Sequence, residues 1–460
     1  MDSTLASLAA WMPRQRWYAA KGRTPHLRHV ASWEMPGDEP GVRARTLILT
    51  DEGTLPAISY QVPVVSRPTE TVPHGQAAHV IGHPEPGTTL IDAPHDPAYS
   101  SALLQLITRG GTVRAGRTVA VGHPSASSPH LGAALEAHRA AVLTGEQSNT
   151  SVCFRFADGA PPIICKIYRQ LQSGTNPDIE LNNALSDARS PHVPRAVGWL
   201  ECSWTDAGAP SRLTGSLAFA QEFLPDVEDA WRLALRSAAE SGDFSRPAFD
   251  LGAATADVHR SLAHLFPTAP ATALDRAAMR DAWQRRLSTA IAEVPALVDA
   301  RRAIEAVYDR ALDVEWPPLQ RIHGDYHLGQ VLAVPDRGWV LLDFEGEPMR
   351  AMAERTAPDL ALRDVAGMLR SFEYVAGSVR IEHPDQTAAL RDWADNARDG
   401  FLAGYADRAR PRAKITGALL NALELDKAVY EAVYESRSRP TWLTIPLRAV
   451  ERLVTASSAR

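Results

Sequence analysis

Two short stretches hold most of the chemistry available to this sequence: Ile322-His-Gly-Asp-Tyr-His-Leu-Gly-Gln-Val-Leu332 and Val340-Leu-Leu-Asp-Phe-Glu-Gly-Glu347. Each sets an aspartate, Asp325 or Asp343, in a turn beside an apolar run, one on either side of an expected hairpin. Phosphoryl transfer asks for such a pair. One carboxylate orients the attacking hydroxyl and takes its proton, while another holds Mg²⁺ against the phosphates of a nucleotide. Gln330, five residues after Asp325, adds a neutral amide oxygen, a hard donor suited to the same ion. A lone aspartate in such a turn would read as a solvated residue. The combined order His-Gly-Asp-x-His-x-x-Gln and Asp-Phe-Glu-Gly favours chemistry instead.

These turns need elements to position them. From Glu228 onward, Ala- and Leu-rich periodic stretches predict helices to the end of the chain, interrupted by one strand-like island, Gly338–Phe344. Upstream, Thr150–Phe156 and Pro162–Tyr168 read as strands flanking Asp158-Gly159, a hairpin signal. Asn176, with Pro177 at the first helical position, opens a helix, and Val193–Glu201 and Leu217–Phe223 read as two further strands. The first 130 residues are rich in Pro, Gly and His. They contain strands at Arg45–Thr50 and Ile58–Val65, a helix at Pro97–Ile107 capped by Asp96, and a linker-like segment, His123–Pro129. The expected organisation is an α/β cap over residues 1–130, a β-rich lobe over 131–224 and a helical lobe over 225–460.

Composition narrows the class. The chain has 460 residues, 45% hydrophobic and 22% charged, which is ordinary for a globular protein with ample core. A net charge of −6 argues against a dedicated nucleic-acid binder. No run reaches the 18 or so apolar residues of a membrane span, and the N-terminus begins with Asp2 in place of a positive n-region, unlike a signal peptide. Three cysteines, Cys153, Cys165 and Cys202, form neither a disulfide framework nor a zinc-like pair, so a reducing cytoplasm is the expected setting. His123 and His130 lack metal-ligand spacing, and Trp17 and Trp33 read as packing residues.

Further words join the two aspartate turns: Pro13-Arg-Gln-Arg-Trp-Tyr18, Gly145-Glu-Gln-Ser-Asn-Thr-Ser-Val152, Asn176-Pro-Asp-Ile-Glu-Leu181, Leu362-Arg-Asp-Val-Ala-Gly-Met-Leu-Arg-Ser-Phe372 and Asp426-Lys-Ala-Val-Tyr-Glu431. Together they resemble the aminoglycoside-phosphotransferase-like branch of the protein-kinase-like fold, and within it the actinobacterial maltokinase and glucosamine kinase group. The resemblance spans nearly the whole chain, loosely over residues 30–130. It implies an α+β, bilobal protein-kinase-like fold, with a β-rich N-lobe, a helical C-lobe and the N-terminal α/β cap, and with ATP bound between the lobes.

The resemblance also implies roles. Gly145–Val152 would be the loop over the phosphates, with Ser148, Asn149, Thr150 and Ser151 as hydrogen-bond donors; the plainer reading is a polar turn before a strand. Lys166 would pair with the phosphates and with a helix glutamate, Glu180, unless it is a strand-end lysine reaching water. Gln221, Glu222 and Leu224 would form the hinge that meets adenine through backbone groups. Asp325 would be the base, and Gln330 and Asp343 would hold Mg²⁺. Asp364 reads as a buried partner for Arg363 or Arg370.

The acceptor site is expected in the helical lobe, built from Asp325, His327, Tyr430, Glu431, Glu435 and Trp442. Tyr430, Glu431, Tyr434 and Glu435 share one helix face by their i, i+4 spacing, which fits sugar stacking and hydroxyl recognition as well as core packing. The preferred reading is an ATP-dependent glucosamine kinase making glucosamine 6-phosphate. Two points favour it over a maltokinase making maltose 1-phosphate: the segment Asp226–Trp231 departs from the maltokinase pattern, and carboxylates suit a cationic amine. An aminoglycoside phosphotransferase and a catalytically silent binding protein are the remaining alternatives. The expected partners are the small-molecule sugar and ATP, with no nucleic acid or membrane, in a monomer or weak dimer.

Overall fold

The computed structural model describes residues 2–128, 138–145, 148–206, 211–347, 350–409 and 417–458. The chain divides into two compact units. The first is Met1–Arg189 with Pro194–Pro225; the second is Ser190–Val193 with Asp226–Arg460. The first is β-rich and the second largely helical, an α+β composition.

The first unit opens with helix α1 (Asp2–Trp11), which the sequence reading did not include. Leu5, Leu8 and Met12 recur at helical spacing there, but with so few charges no polar face marks the helix. An antiparallel sheet follows: β1 (Leu27–Glu34), β2 (Arg43–Asp51), β3 (Ile58–Pro68), β4 (Val80–Glu85) and β5 (Thr88–Asp92), in the order β1-β2-β3-β5-β4. Alternation along β2 sends Leu47 and Leu49 to a core with Leu8, Trp11 and Trp17, and Ile48 to the opposite core. Both faces are covered, so β2 reads as a continuous apolar run. Helix α2 (Pro97–Thr108) covers the second face; Asp96 caps it by accepting from the Ala98 N–H.

A seven-stranded sheet contains β6 (Thr112–Ala115), β7 (Thr118–Pro124), β8 (His138–Val142), β9 (Asn149–Phe156) and β10 (Ile163–Tyr168). A short β11 (Gln170–Leu171) leaves this sheet to pair with β3 of the first. After helix α3 (Pro177–Asp187), strands β12 (Ala196–Trp204) and β13 (Leu213–Glu222) complete the order β6-β7-β12-β13-β10-β9-β8. The Asp158-Gly159 turn joins β9 to β10 with Gly159 at φ +78°, and Asn176 caps α3 through its side chain with Pro177 first, both as the sequence implies. The described part of the segment read as a linker, residues 123–128, is packed: His123 is the penultimate residue of β7 and stacks on Trp199 at 5.0 Å, while Ser125 is buried. His130 lies outside the described residues.

The expected cap and β-rich lobe share one core. A single apolar cluster holds Trp33, Ile48 and Val65 of the first sheet, Leu103 and Ile107 of α2, and Phe154, Ile167 and Leu217 of the second sheet. Polar links reinforce it. Gln61 donates to the carbonyls of Tyr168 and Leu217 at 2.9 and 2.8 Å. Arg169, fully buried, grips Asp92 at 2.9 and 3.1 Å, donates to Thr150 Oγ1 at 2.8 Å and lies over the Trp17 ring.

In the second unit a small sheet, β14 (Glu228–Asp229), β15 (Val331–Val334) and β16 (Gly338–Leu341), accompanies the helices. The helices are α4 (Ala230–Ala239), α5 (Ser245–Leu265), α6 (Ala273–Glu293), α7 (Arg301–Leu312), α8 (Met352–Thr356), α9 (Leu362–Glu382), α10 (Thr387–Arg408), α11 (Gly417–Ser438) and α12 (Thr444–Ser458). The expected strand island ends at Leu341 because Asp343 turns left-handed at φ +63°.

Breaking one side of a sealed ion pair strands the other charge. Asp92→Ala is therefore expected to destabilise the first unit by about 3–5 kcal/mol, read as a lowered denaturation midpoint.

Candidate active site

Helix α9 holds the Asp325 loop along one stripe of its surface. Asp364, sealed from solvent, accepts from the backbone N–H groups of His323 at 2.8 Å and Gly324 at 2.9 Å, and bonds His259 Nε2 at 2.9 Å. One turn on, Gly367 leaves room for the loop: a Cβ there would lie 2.6 Å from the Tyr326 carbonyl oxygen. Another turn on, Ser371 Oγ accepts from the Leu328 N–H at 3.1 Å. Spacing of three and four keeps these residues on one face. The partners of Asp364 are thus a histidine and loop amides, where the sequence reading named Arg363 or Arg370. Arg363 pairs with Asp359, and Arg370 with Glu373 and Glu431. Burial alone would raise the Asp364 carboxyl; the hydrogen bonds outweigh it and hold it below the usual range.

The second aspartate turn is built to match. Phe344 is fully buried against His323, with ring centroids 4.7 Å apart, and fixes the strained Asp343 beside it. Gly324, at φ +86°, approaches so closely that an added Cβ would lie 3.2 Å from the Gly346 Cα. His323 Nε2 lies 2.8 Å from the Leu342 carbonyl, which makes that nitrogen the donor and leaves Nδ1 to accept from the Asp325 N–H at 3.4 Å. The hairpin of β15 and β16 joins the two turns and brings Gln330 Nε2 to 3.3 Å from Asp343 Oδ2.

Asp325 opens into a cavity of about 560 Å³ that His327, Tyr430, Glu431, Tyr434, Glu435 and Trp442 also line. Burial pushes the His327 imidazole below its ordinary range, and Asp325 opposes this only in part. The structure therefore brings together every residue expected at the acceptor site. It also corrects how their charges are used. Glu435 is buried, with both oxygens engaged by Arg439 and one also by Tyr374, so it is no free anion. Glu431 receives both Arg370 bonds on Oε2, at 2.9 and 2.7 Å. Among the described residues, nothing bonds its Oε1. One face of Trp442 is covered by the Arg439 guanidinium at 4.3 Å.

Among the lining residues that sequence reasoning did not place at the site are Lys427, Trp231, Tyr374 and Arg439. Lys427 Nζ lies 2.9 Å from Glu347 Oε1 and 3.6 Å from Asp325 Oδ1. Burial would lower this ammonium, but Glu347 and Asp325 hold it above its ordinary range. Glu347 itself, despite burial, is held at about 2 by Lys427 and Arg350. A signal was present, because Lys427 precedes Tyr430, Glu431 and Tyr434 by three, four and seven residues on one face of α11.

In the first unit, Lys166 Nζ bonds Asp178 Oδ2 at 3.3 Å. A helix acid found against the lysine is Asp178, at the second position of α3, two residues before Glu180, the partner that the resemblance implies. Ser148 is exposed ahead of β9 and Asn149 is its first residue, half-buried. Thr150 and Ser151 depart from the loop-donor expectation. Both are buried inside β9, paired against Ile167 and Lys166, and the Thr150 hydroxyl serves Arg169. Gln221 and Glu222 close β13: Gln221 Oε1 accepts from Asn182, and Glu222 Oε2 from the Arg195 N–H. Leu224 lies just beyond, and among the described residues its backbone makes no hydrogen bond.

Residues 140–415, more than half of the chain, match the phosphotransferase enzyme family, and residues 11–96 match the maltokinase N-terminal cap domain. The chain belongs to the phosphotransferase family. A glucosamine kinase of Mycolicibacterium smegmatis is 31% identical over 68% of this chain and 79% of that protein. Another, from Streptacidiphilus jiangxiensis, is 31% identical over 57% of this chain and 62% of its own. Among solved structures, a glucosamine kinase superposes with a TM-score of 0.69 at 23% identity, over 97% of this chain and 99% of that one. A glucosamine kinase in complex with glucosamine, ADP and inorganic phosphate gives 0.67 at 23% identity, over 97% and 98%. These likenesses establish the kinase-like fold with its cap. No helix among the described residues is long and apolar enough to cross a membrane.

For this phosphotransferase, the Asp364 arrangement carries a pH signature. Its depressed carboxyl contributes stability that is fully present above the unfolded value of about 3.9 and is lost as pH falls through the lower folded value. Asp364→Asn is expected to flatten the acid limb of the stability profile, read from urea midpoints between neutral pH and pH 3. Turnover should fall by about 10²-fold because the loop shifts.

Proposed function

We propose that this phosphotransferase moves the γ-phosphoryl group of ATP to a hydroxyl of free glucosamine, giving glucosamine 6-phosphate. The observation that carries this reading is the convergence of Asp325, Lys427 and Glu431 Oε1 on one aromatic-lined cavity. The 31% identity to two glucosamine kinases supports the choice of sugar. Asp325 would take the proton of the attacking hydroxyl while Lys427 orients its carboxylate. Glu431 would accept from the amine or a neighbouring hydroxyl through its open oxygen. Lys166 would neutralise phosphate charge, and the backbone of Leu224 would meet adenine.

Gln330 and Asp343 offer an amide oxygen and a carboxylate in adjacent positions, a hard donor set that fits Mg²⁺. In the present rotamer the Gln330 amide nitrogen faces Asp343, so turning the amide would present its oxygen. When bound, the ion would offset negative charge on the transferring phosphoryl group. Transfer itself would rest on positioning and electrostatics.

Two observations favour a second reading, a maltokinase. The cap matches the maltokinase cap domain, and a cavity of about 560 Å³ has room beyond a single sugar ring.

Asp325→Asn is expected to lower turnover by roughly 10²- to 10⁴-fold with nucleotide affinity kept; near-normal turnover in the folded variant would refute the base assignment. Asp343→Ala should raise the Mg²⁺ concentration needed for binding of an ATP analogue, measured by calorimetry. Specificity constants for glucosamine, glucose and maltose side by side test the sugar. Glu431→Gln should penalise glucosamine over glucose by roughly tenfold or more, the scale of a hydrogen bond to a charge. Glu435→Gln, with its charge committed to Arg439, should treat both sugars alike. Maltose ahead of glucosamine would establish the second reading.

A further inference from the structure

The helical unit holds a second, larger cavity of about 770 Å³, to which α9, α10 and α12 contribute Arg380, Arg391 and Arg448. Among the described residues, none of the three makes a hydrogen bond or an ion pair. Their neighbours behave differently: Arg370, Arg398 and Arg452 all grip Glu373. Glu373 also lines the cavity, with its charge already answered by three guanidinium groups. The remaining acids of the wall, Asp395 and Glu451, are exposed. Burial, and then the like charges of Arg448 and Arg391, push the Arg380 guanidinium below its ordinary range. Three helices thus bring mutually repelling cations to one concave surface.

Such an arrangement calls for an anion. Guanidinium groups match phosphate oxygens in a bidentate fork, which is why arginine serves where planar recognition of phosphate matters. The volume falls within the range of about 300–1,000 Å³ usual for small-molecule sites. We infer that this cavity binds a phosphate-bearing small molecule, its phosphoryl oxygens held by Arg380, Arg391 and Arg448, apart from the acceptor cavity. Occupancy has a route to that cavity. Arg452 on the wall grips Glu373, Glu373 accepts from Arg370, and Arg370 holds Glu431 in the acceptor cavity. An anion beside Arg452 would compete with Glu373, loosen this chain and change the affinity for the sugar.

Calorimetric titration of the full-length protein with inorganic phosphate, glucose 6-phosphate and ADP, at ionic strength held constant with chloride, tests the site. The double variant Arg380→Gln, Arg448→Gln should weaken at least one probe on the order of tenfold. Arg391→Gln, a single exposed change, should weaken the same probe if the double variant does not fold. The probe that depends on these arginines identifies the phosphate bearer. Equal binding of all three probes to wild type and variants would overturn the site, as would an effect that chloride reproduces. The effective probe should also shift the sugar KM in the wild type and not in the variant; an unmoved KM would overturn the coupling.

Discussion

Asp364 accepts two loop N–H bonds and one from His259 while excluded from water. A buried carboxylate without such partners would cost several kcal/mol or take up a proton, so the anion and the loop specify one another. The loop cannot leave without stranding the charge, and the charge cannot remain without the loop. His323 then passes the constraint on, binding the Leu342 carbonyl on one side and receiving the Asp325 N–H on the other. Both aspartate turns therefore answer to one residue on α9, which approaches neither cavity through a catalytic atom of its own.

Beside the stripe that holds this loop, α9 is organised by arginine. Arg370 is sealed between Glu373 and Glu431, and Arg398 and Arg452 each pair with Glu373 and Glu424. Buried pairs of this kind add little net stability against an apolar alternative, but they commit each partner to one geometry. This commitment changes the meaning of the acidic face of α11. Residues that look like anions awaiting a substrate have their charge answered internally, and among the described residues of α11 the Oε1 of Glu431 is the carboxylate oxygen left open. On the proposed function, recognition in the acceptor cavity would rest on hydrogen-bond geometry and aromatic surface more than on excess negative charge.

How far the sequence reveals this structure depends on how local each determinant is. The Asn176 and Asp96 caps, the Asp158-Gly159 turn and the hairpin between the two aspartate turns are local, and each is found where the residues imply. The approach of Gln330 to Asp343 follows from motif order, and the face of α11 from helical spacing. Charge partners are another matter. Asp364 with His259 joins residues whose approach depends on tertiary packing, and proximity in sequence named Arg363 or Arg370 instead. Thr150 and Ser151 show the two kinds of evidence apart: the local pattern reads Thr150–Phe156 as strand, which pairing with β10 bears out, while the resemblance also counted both residues among the loop donors.

The first unit extends that argument to the cap. A cap joined only by a linker would leave the second sheet complete without it. Here β11 leaves the second sheet to pair with β3, Gln61 of β3 serves carbonyls of β10 and β13, and α2 packs one apolar cluster against both sheets. Arg169 closes the arrangement, bonding Asp92 and lying over Trp17 of the cap while donating to Thr150 of β9. Asn149 and Ser148 immediately precede Thr150, so the stretch assigned to phosphate contact is anchored at its C-terminal side by a buried ion pair whose acid belongs to the cap. The cap is therefore part of what fixes the start of β9, and displacing it would free that start before it disturbed the rest of the strand.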